Sequence, residues 1–183
     1  MKYSYSDWNG KTGTLPVLWK KSDYEDHVWV SNHDRRGYTT EDENYKIYRE
    51  RLGVHILNHE QQGKGIFIPE SMARVFDYVP ALFDLDSIIY SFMKYPVGNI
   101  LPWHQDNYPT YCKNHGVVDV ESIVRIVVLL NDSAPGQQLW IGDRMCAGPA
   151  GSWFAWMGST EHMAANLSKE PRYAIQITGL SKF

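Results

Sequence analysis

The second half of the chain consists of short segments that are rich in β-branched and aromatic residues and are separated by turn residues. The most apolar of them covers residues 123–130, and similar segments cover residues 88–95, 138–141, 152–156 and 172–178. Runs of this kind, bounded by Gly, Pro and Asn, are typical of β-strands. Five or six short strands after a more helical N-terminal part predict a barrel or jelly roll with helices packed outside.

The first half has weaker patterns. Thr40 followed by Glu43 is typical of a helix start and predicts a helix over residues 40–51. Apolar residues at helical spacing predict a second helix over residues 71–79, which ends near Pro80. Residues 63–65, with a lysine between two glycines, predict a turn rather than a phosphate-binding loop.

The chain shows no internal repeat, linker or low-complexity tract. Its 183 residues therefore predict one domain, in which residues 1–86 support a β-rich core formed by residues 87–183. Residues 107–121 lack periodicity and predict a long polar loop of the kind that often serves as a lid or binding loop.

Composition narrows the class of protein. No stretch approaches the roughly 18 apolar residues that a membrane helix needs, and the N-terminus lacks the pattern of a signal peptide, so we expect a cytoplasmic protein. Cys112 and Cys146 have no metal-binding spacing, and we expect free thiols. A net charge of −3 argues against nucleic acid as a partner.

One motif in the β-rich half carries metal chemistry. His104 and Asp106 stand two positions apart on an extended segment, and side chains at that spacing point to the same side of a strand. A second imidazole from a distant strand, which His162 can supply, would complete a 2-His-1-carboxylate set that leaves positions open on a non-heme Fe(II). Alone, His-x-Asp is a weak signal, because the same pattern occurs by chance in loops of β proteins.

Two arginines stand where a barrel interior is expected. Arg172 begins the last apolar strand, ten positions after His162, and Arg125 lies in the middle of the most apolar segment. Burying a guanidinium is costly unless an anion pairs with it. A dicarboxylate co-substrate would supply that anion for Arg172. For Arg125 two hypotheses stay open, a role in the same pocket and an ion pair with a nearby acid such as Asp86 or Glu121.

At this point the sequence resembles the Fe(II)/2-oxoglutarate-dependent oxygenases of the double-stranded β-helix fold, over about residues 88–179. The resemblance is carried by His104-x-Asp106, the distal His162 and the arginine ten positions later. Further matching elements are the segment Leu130-Asn131-Asp132, Gly151 before the aromatic strand, and the block of residues 158–166. The distal block is similar to that of prolyl-4-hydroxylase-like members, and residues 95–104 are similar to aspartyl/asparaginyl β-hydroxylases.

The resemblance implies a function. The two histidines and the aspartate would bind Fe(II), Arg172 would pair with the distal carboxylate of 2-oxoglutarate, and Arg125 and Tyr90 would belong to the same pocket. The implied reaction uses O2, with ascorbate as a possible reductant, hydroxylates a small molecule or an amino-acid or peptidyl side chain, and releases succinate and CO2.

The chain also departs from the family pattern. The run Gly136-Gln137-Gln138-Leu139 replaces the usual Gly-Gly-acid-Thr segment of prolyl hydroxylases. Thr178 stands where the nucleic-acid demethylases have a second arginine. The alternative function is a cupin-like metal- or sugar-binding protein without redox chemistry. Among the other histidines, His55 and His59 have a helical spacing and His115 lies in the polar loop; we expect ordinary packing or surface roles for them.

Overall fold

The computed structural model describes residues 7–26, 29–31, 63–65, 79 and 82–182, with backbone alone for 29–31 and 63–65. The helix predicted over residues 40–51 lies outside the described residues. Of the helix predicted over residues 71–79, only the buried Val79 lies within them. None of the helices in the described part of the chain has the length and apolar character needed to cross a membrane.

The described strands form two antiparallel sheets, and their bounds follow in chain order. The strands are β1 Thr12–Thr14, β2 Trp29–Ser31, β3 Gly63–Gly65, β4 Leu85–Tyr95, β5 Ile100–His104, β6 Ile123–Leu129, β7 Gln137–Ile141, β8 Arg144–Met145, β9 Ser152–Met157, β10 His162–Asn166 and β11 Arg172–Ser181. Helices with bounds inside the described ranges include α1 Ser22–Glu25 and α2 Pro109–His115, and a 3₁₀ turn covers Val120–Ser122.

The strand order identifies the fold. One sheet has seven strands in the order β1-β9-β6-β11-β4-β3-β2, and the other has four in the order β5-β10-β7-β8. From β4 onward the chain passes back and forth between the sheets, so that β4, β6, β9 and β11 face β5, β7, β8 and β10. This eight-strand winding is a double-stranded β-helix, the jelly roll that the sequence predicts.

Both faces of β6, β9 and β11 in the seven-stranded sheet are covered. Between the sheets, Val127 and Phe154 belong to a cluster that also includes Leu139 and Ala164 of the four-stranded sheet. On the outer face, Ile126 and other residues of β6, β9 and β11 pack against N-terminal residues such as Trp8. Burial on both faces explains why β6 reads as a continuous apolar run rather than an alternating one.

Two predictions for the connecting segments were wrong. The segment 107–121 contains α2 and the 3₁₀ turn instead of being an aperiodic loop. Pro109 at the helix start and the left-handed Gly116 at its end, with φ 65°, delimit α2. Residues 63–65 form β3 instead of a turn, because pairing with β2 and β4 provides backbone partners that local sequence does not reveal.

Candidate metal centre

Strand pairing brings the two predicted histidine ligands together. His104 is the last residue of β5 and His162 is the first of β10, and the two are direct partners in the antiparallel register. Their ring centroids lie 4.2 Å apart. Asp106 follows β5 by two residues, and its carboxylate lies on the same side as both rings. Residues 58 positions apart in the chain thus meet at one end of the four-stranded sheet.

Each histidine ring is oriented by a backbone carbonyl. Nδ1 of His104 lies 2.7 Å from the carbonyl oxygen of Pro102, and Nδ1 of His162 lies 2.9 Å from that of Thr160. If Nδ1 carries the proton and donates it, Nε2 keeps its lone pair. This arrangement is typical of metal-binding histidines, in which the second ring nitrogen fixes the tautomer and the ring orientation.

The three ligand atoms enclose a space of the size that a divalent metal needs. Both Nε2 atoms lie 3.7 Å from a carboxylate oxygen of Asp106, His104 from Oδ1 and His162 from Oδ2. The ligand atoms of the three residues all lie within 4.8 Å of one another. Two ligands about 2.1 Å from one ion and at right angles are about 3.0 Å apart, so a modest contraction brings the three onto a single ion.

Burial keeps His162 neutral. Its side chain is 4% exposed, and the Trp156 ring lies 4.9 Å away. Burial, with a smaller contribution from the neighbouring His104, lowers the pKa of His162 to about 4, although Asp106 and the Thr160 carbonyl oppose the shift. A neutral imidazole near pH 7 is the form that binds metals.

Arg125 is the ion-pair partner of Asp106. Its Nη2 donates to Asp106 Oδ2 over 2.9 Å. The ion pair considered with Asp86 or Glu121 is therefore not formed, and Asp86 instead lies 3.5 Å from Lys182. The strand register explains this outcome, because Arg125 faces the barrel interior, where it lines the same cavity as Val127.

Tyr108 completes this contact, and no pattern in the sequence pointed to this residue. Its hydroxyl accepts a hydrogen bond of 3.4 Å from Nε of Arg125, and the guanidinium lies 4.8 Å from the centre of its ring. Burial raises the pKa of Tyr108 to about 12, so the phenol stays protonated. Its backbone is left-handed, with φ 47°, a conformation that costs a non-glycine residue about 1–2 kcal/mol.

A cavity of about 70 Å³ between the sheets contains the three ligands and both arginines. That volume holds several water molecules. Its walls are largely apolar and aromatic, and Asp106 is the only acidic residue among those described that line it.

Arg172 lies in this cavity without an acidic partner among the described residues. It is 4% exposed, donates from Nη1 to the Gln138 carbonyl over 2.8 Å, and stacks 4.4 Å from the centre of the Tyr95 ring. Its buried Nε has no hydrogen-bond partner in the described part of the chain. Burial lowers the pKa of Arg172 from its ordinary value, although Tyr95 opposes that shift.

The structure does not bring Tyr90 to the other five predicted site residues. Tyr90 packs against the cluster on the outer face of the seven-stranded sheet, whereas Met93 and Tyr95 of the same strand line the cavity. Alternation along β4 explains the difference, because residues an odd number of positions apart point to opposite faces. The prediction that Tyr90 belongs to the pocket is corrected accordingly.

The remaining histidines do not join the cluster in the described residues. His115 lies at the end of α2, where its ring is 4.6 Å from that of Tyr111. His55 and His59 lie outside the residues that the structure describes. Cys112 and Cys146 are free cysteines, and burial raises the pKa of Cys146 to about 11.

Comparisons of this chain with known proteins find matches among solved structures only. No family model matches the chain, and no curated protein matches it. A cupin protein from Bacteroides fragilis is 15% identical with a TM-score of 0.39, over 55% of this chain and 71% of that one. A predicted oxalate decarboxylase from Thermotoga maritima is 11% identical with a TM-score of 0.40, over 65% and 78%. The Cnp3 cupin domain of Schizosaccharomyces pombe is 11% identical with a TM-score of 0.41, over 68% and 64%. Likeness at this level bears on neither the metal nor the activity.

Proposed function

We propose that this protein is an Fe(II)- and 2-oxoglutarate-dependent oxygenase that hydroxylates a small molecule or an amino-acid or peptidyl side chain. The observation that carries the proposal is that one cavity contains both a 2-His-1-carboxylate cluster and a buried arginine without an acidic partner among the described residues. Metal binding alone requires only the cluster. The arginine adds a requirement for an anionic ligand beside the metal.

The donor set fits Fe(II). Two neutral imidazoles and one carboxylate on one side of an ion leave its remaining positions open for a co-substrate and O2. When bound, Fe(II) and 2-oxoglutarate supply the oxidative chemistry that releases succinate and CO2 and activates O2 for hydroxylation. Arg125 donates to Oδ2 of Asp106, and Oδ1 of the same carboxylate lies 3.7 Å from Nε2 of His104.

Arg172 fits the distal carboxylate of 2-oxoglutarate. The guanidinium donates to one carbonyl oxygen and also has Tyr95 as a hydrogen-bonding and stacking partner, and its buried Nε remains a donor without a partner among the described residues. A carboxylate accepts from such donors in pairs and neutralises the buried charge at the same time. The only acidic residue that lines the described cavity, Asp106, already pairs with Arg125.

Other cavity residues are apolar and shape the space. Val127, Leu139 and Trp156 present apolar surface around the polar groups. Contacts of charged groups strengthen in such surroundings, because the effective dielectric constant is lower than in water. We place substrate entry beside residues 107–121, since Tyr108 of this segment contacts Arg125 at the metal ligands.

The test is an anaerobic titration. Fe(II) followed by 2-oxoglutarate should produce a charge-transfer band at about 500 nm in the wild-type protein. His162→Ala should lose the band together with metal binding. Arg172→Met should bind Fe(II) like the wild type but need at least about tenfold more 2-oxoglutarate, because the charged contact is lost. His115→Ala is the matched control and should retain the wild-type band.

Two outcomes contradict the proposal. If Fe(II) binds and no band appears, the protein is a metal-binding jelly roll of the non-redox class, which is the alternative function. If the band appears but Arg172→Met needs no more 2-oxoglutarate than the wild type, the arginine does not hold the co-substrate. With both results positive, amino acids and short peptides that stimulate succinate formation would define the substrate class.

A further inference from the structure

Gln176 is a buried polar residue that the proposed function has not used. It lies in the middle of β11, where its register partners are Ser91 on β4 and Val127 on β6. It is 9% exposed and lines the cavity that contains the metal ligands. Its buried Oε1 has no hydrogen-bond partner among the described residues. A buried amide with one end unpartnered destabilises the folded protein unless a ligand pairs with that end, and a turn of the side chain decides whether the oxygen or the NH2 group faces the ligand.

Another buried glutamine shows how this chain satisfies such a side chain when its role is structural. Gln137 on β7 is 6% exposed and does not line the cavity. Its Oε1 accepts from the Ala134 amide over 3.3 Å, and its Nε2 donates to Ser168 Oγ over 3.3 Å and to the Glu170 carbonyl over 3.1 Å. The contrast separates a side chain that stabilises the fold from one that projects into a binding space.

The strand register places Gln176 between the two charged ends of the cavity. Arg172 and Gln176 are four positions apart on β11 and both line the cavity. On the neighbouring strand, Val127 is the partner of Gln176 and Arg125 stands two residues before it. Arg172 marks the anion-binding end, and Arg125, through its contact with Asp106, marks the metal end. A ligand that spans these ends passes the side chain of Gln176.

We propose that Gln176 is a co-substrate-binding residue, whose amide hydrogen-bonds 2-oxoglutarate along the part of the molecule between Arg172 and the metal ligands. This inference rests on the proposed function. The amide offers both a donor and an acceptor, and the two ends can exchange places by a rotation of the side chain. With Nε2 turned toward the ligand, the amide donates to an oxygen of the oxo-acid and adds no charge to the cavity.

Two matched variants, Gln176→Met and Gln137→Met, test the inference, since methionine has a similar shape and no amide. For Gln176→Met, the melting temperature of the metal-free protein should rise by about 2–4 °C, because a buried polar group without a partner is removed. Its dissociation constant for 2-oxoglutarate in the presence of Mn(II) should increase about tenfold, because the ligand loses a hydrogen bond. Gln137→Met should lower the melting temperature and leave the dissociation constant at the wild-type value.

Both changes in Gln176→Met are required. If its melting temperature falls, or if it binds 2-oxoglutarate as tightly as the wild type, Gln176 is not a ligand contact and the inference is overturned. The proposed function then still stands, provided that the wild-type protein binds Mn(II) and 2-oxoglutarate. If the wild type binds Mn(II) without 2-oxoglutarate, the proposed function itself has failed and this inference fails with it.

Discussion

Acid should destabilise the metal-free protein through His162. In the folded protein, burial and the neighbouring His104 lower the pKa of His162 to about 4, whereas a histidine in an unfolded chain has a pKa of about 6.5. Between these two values the unfolded chain binds a proton that the folded protein does not. The free energy of unfolding therefore falls as the pH drops from about 6.5 to about 4, and this contribution is constant below that range.

The size of the effect follows from the pKa difference. A gap of about 2.5 units at about 1.4 kcal/mol per unit gives a loss of about 3 kcal/mol. Small domains are stable by about 5–15 kcal/mol, so this single side chain accounts for a large fraction of the total. A divalent metal uses the same Nε2 lone pair as the proton, and acid should weaken metal binding over the same interval.

Urea unfolding in the presence of a chelator measures this effect between pH 7 and pH 4. The wild-type protein should lose about 3 kcal/mol more than His162→Gln, in which position 162 cannot titrate. His115→Gln is the matched control, because His115 lies on α2 outside the cluster, and it should follow the wild-type profile. If the wild type and His162→Gln lose the same free energy, His162 does not resist protonation in the folded protein and the reasoning is refuted.

Two further substitutions test the frame around the site. Asn166→Ala removes a buried amide that donates to the Tyr95 carbonyl over 2.8 Å. Urea unfolding should show that the free energy of unfolding falls by about 2–4 kcal/mol, and a fall of under about 1 kcal/mol would contradict this. Gly158→Ala places a methyl group against the Val120 carbonyl oxygen and should lower the melting temperature below that of the wild type. An unchanged melting temperature would show that the contact is relieved at no cost.

The sequence was sufficient for the fold class and for the local part of the site. Strand-like segments punctuated by turns predicted the jelly roll, and the strand order confirms it. Alternation predicted that the side chains of His104 and Asp106 point to the same side of the strand, and Nε2 of His104 lies 3.7 Å from Oδ1 of Asp106. The approach of His162 depends on pairing between β5 and β10, which local sequence does not encode, and here the resemblance to a known family supplied the prediction.

The sequence was insufficient where two faces of a strand are equally buried. Along β4, apolar residues occupy both faces, so the pattern could not tell that Tyr90 faces the outer cluster while Met93 faces the cavity. Arg125 shows a second limit of the sequence pattern, because no pattern indicates which acid pairs with a buried arginine, and neither Asp86 nor Glu121 proved to be its partner. Its actual partner, Asp106, lies 19 positions away and approaches through the packing of two sheets.

Buried polar side chains without hydrogen-bond partners distinguish a barrel interior that binds a ligand from one that is purely structural. Where this chain buries a polar side chain for stability, as with Asn166, it provides hydrogen bonds at both ends of the amide. Inside the cavity, Arg172 Nε and Gln176 Oε1 have no partners among the described residues. Apolar residues of similar size would stabilise an interior that binds nothing. The unpartnered Nε donor of Arg172 therefore favours a ligand that carries oxygen atoms and negative charge, and the Gln176 amide can donate to the same ligand once Nε2 is turned toward it. A 2-His-1-carboxylate cluster alone would indicate only a metal ion.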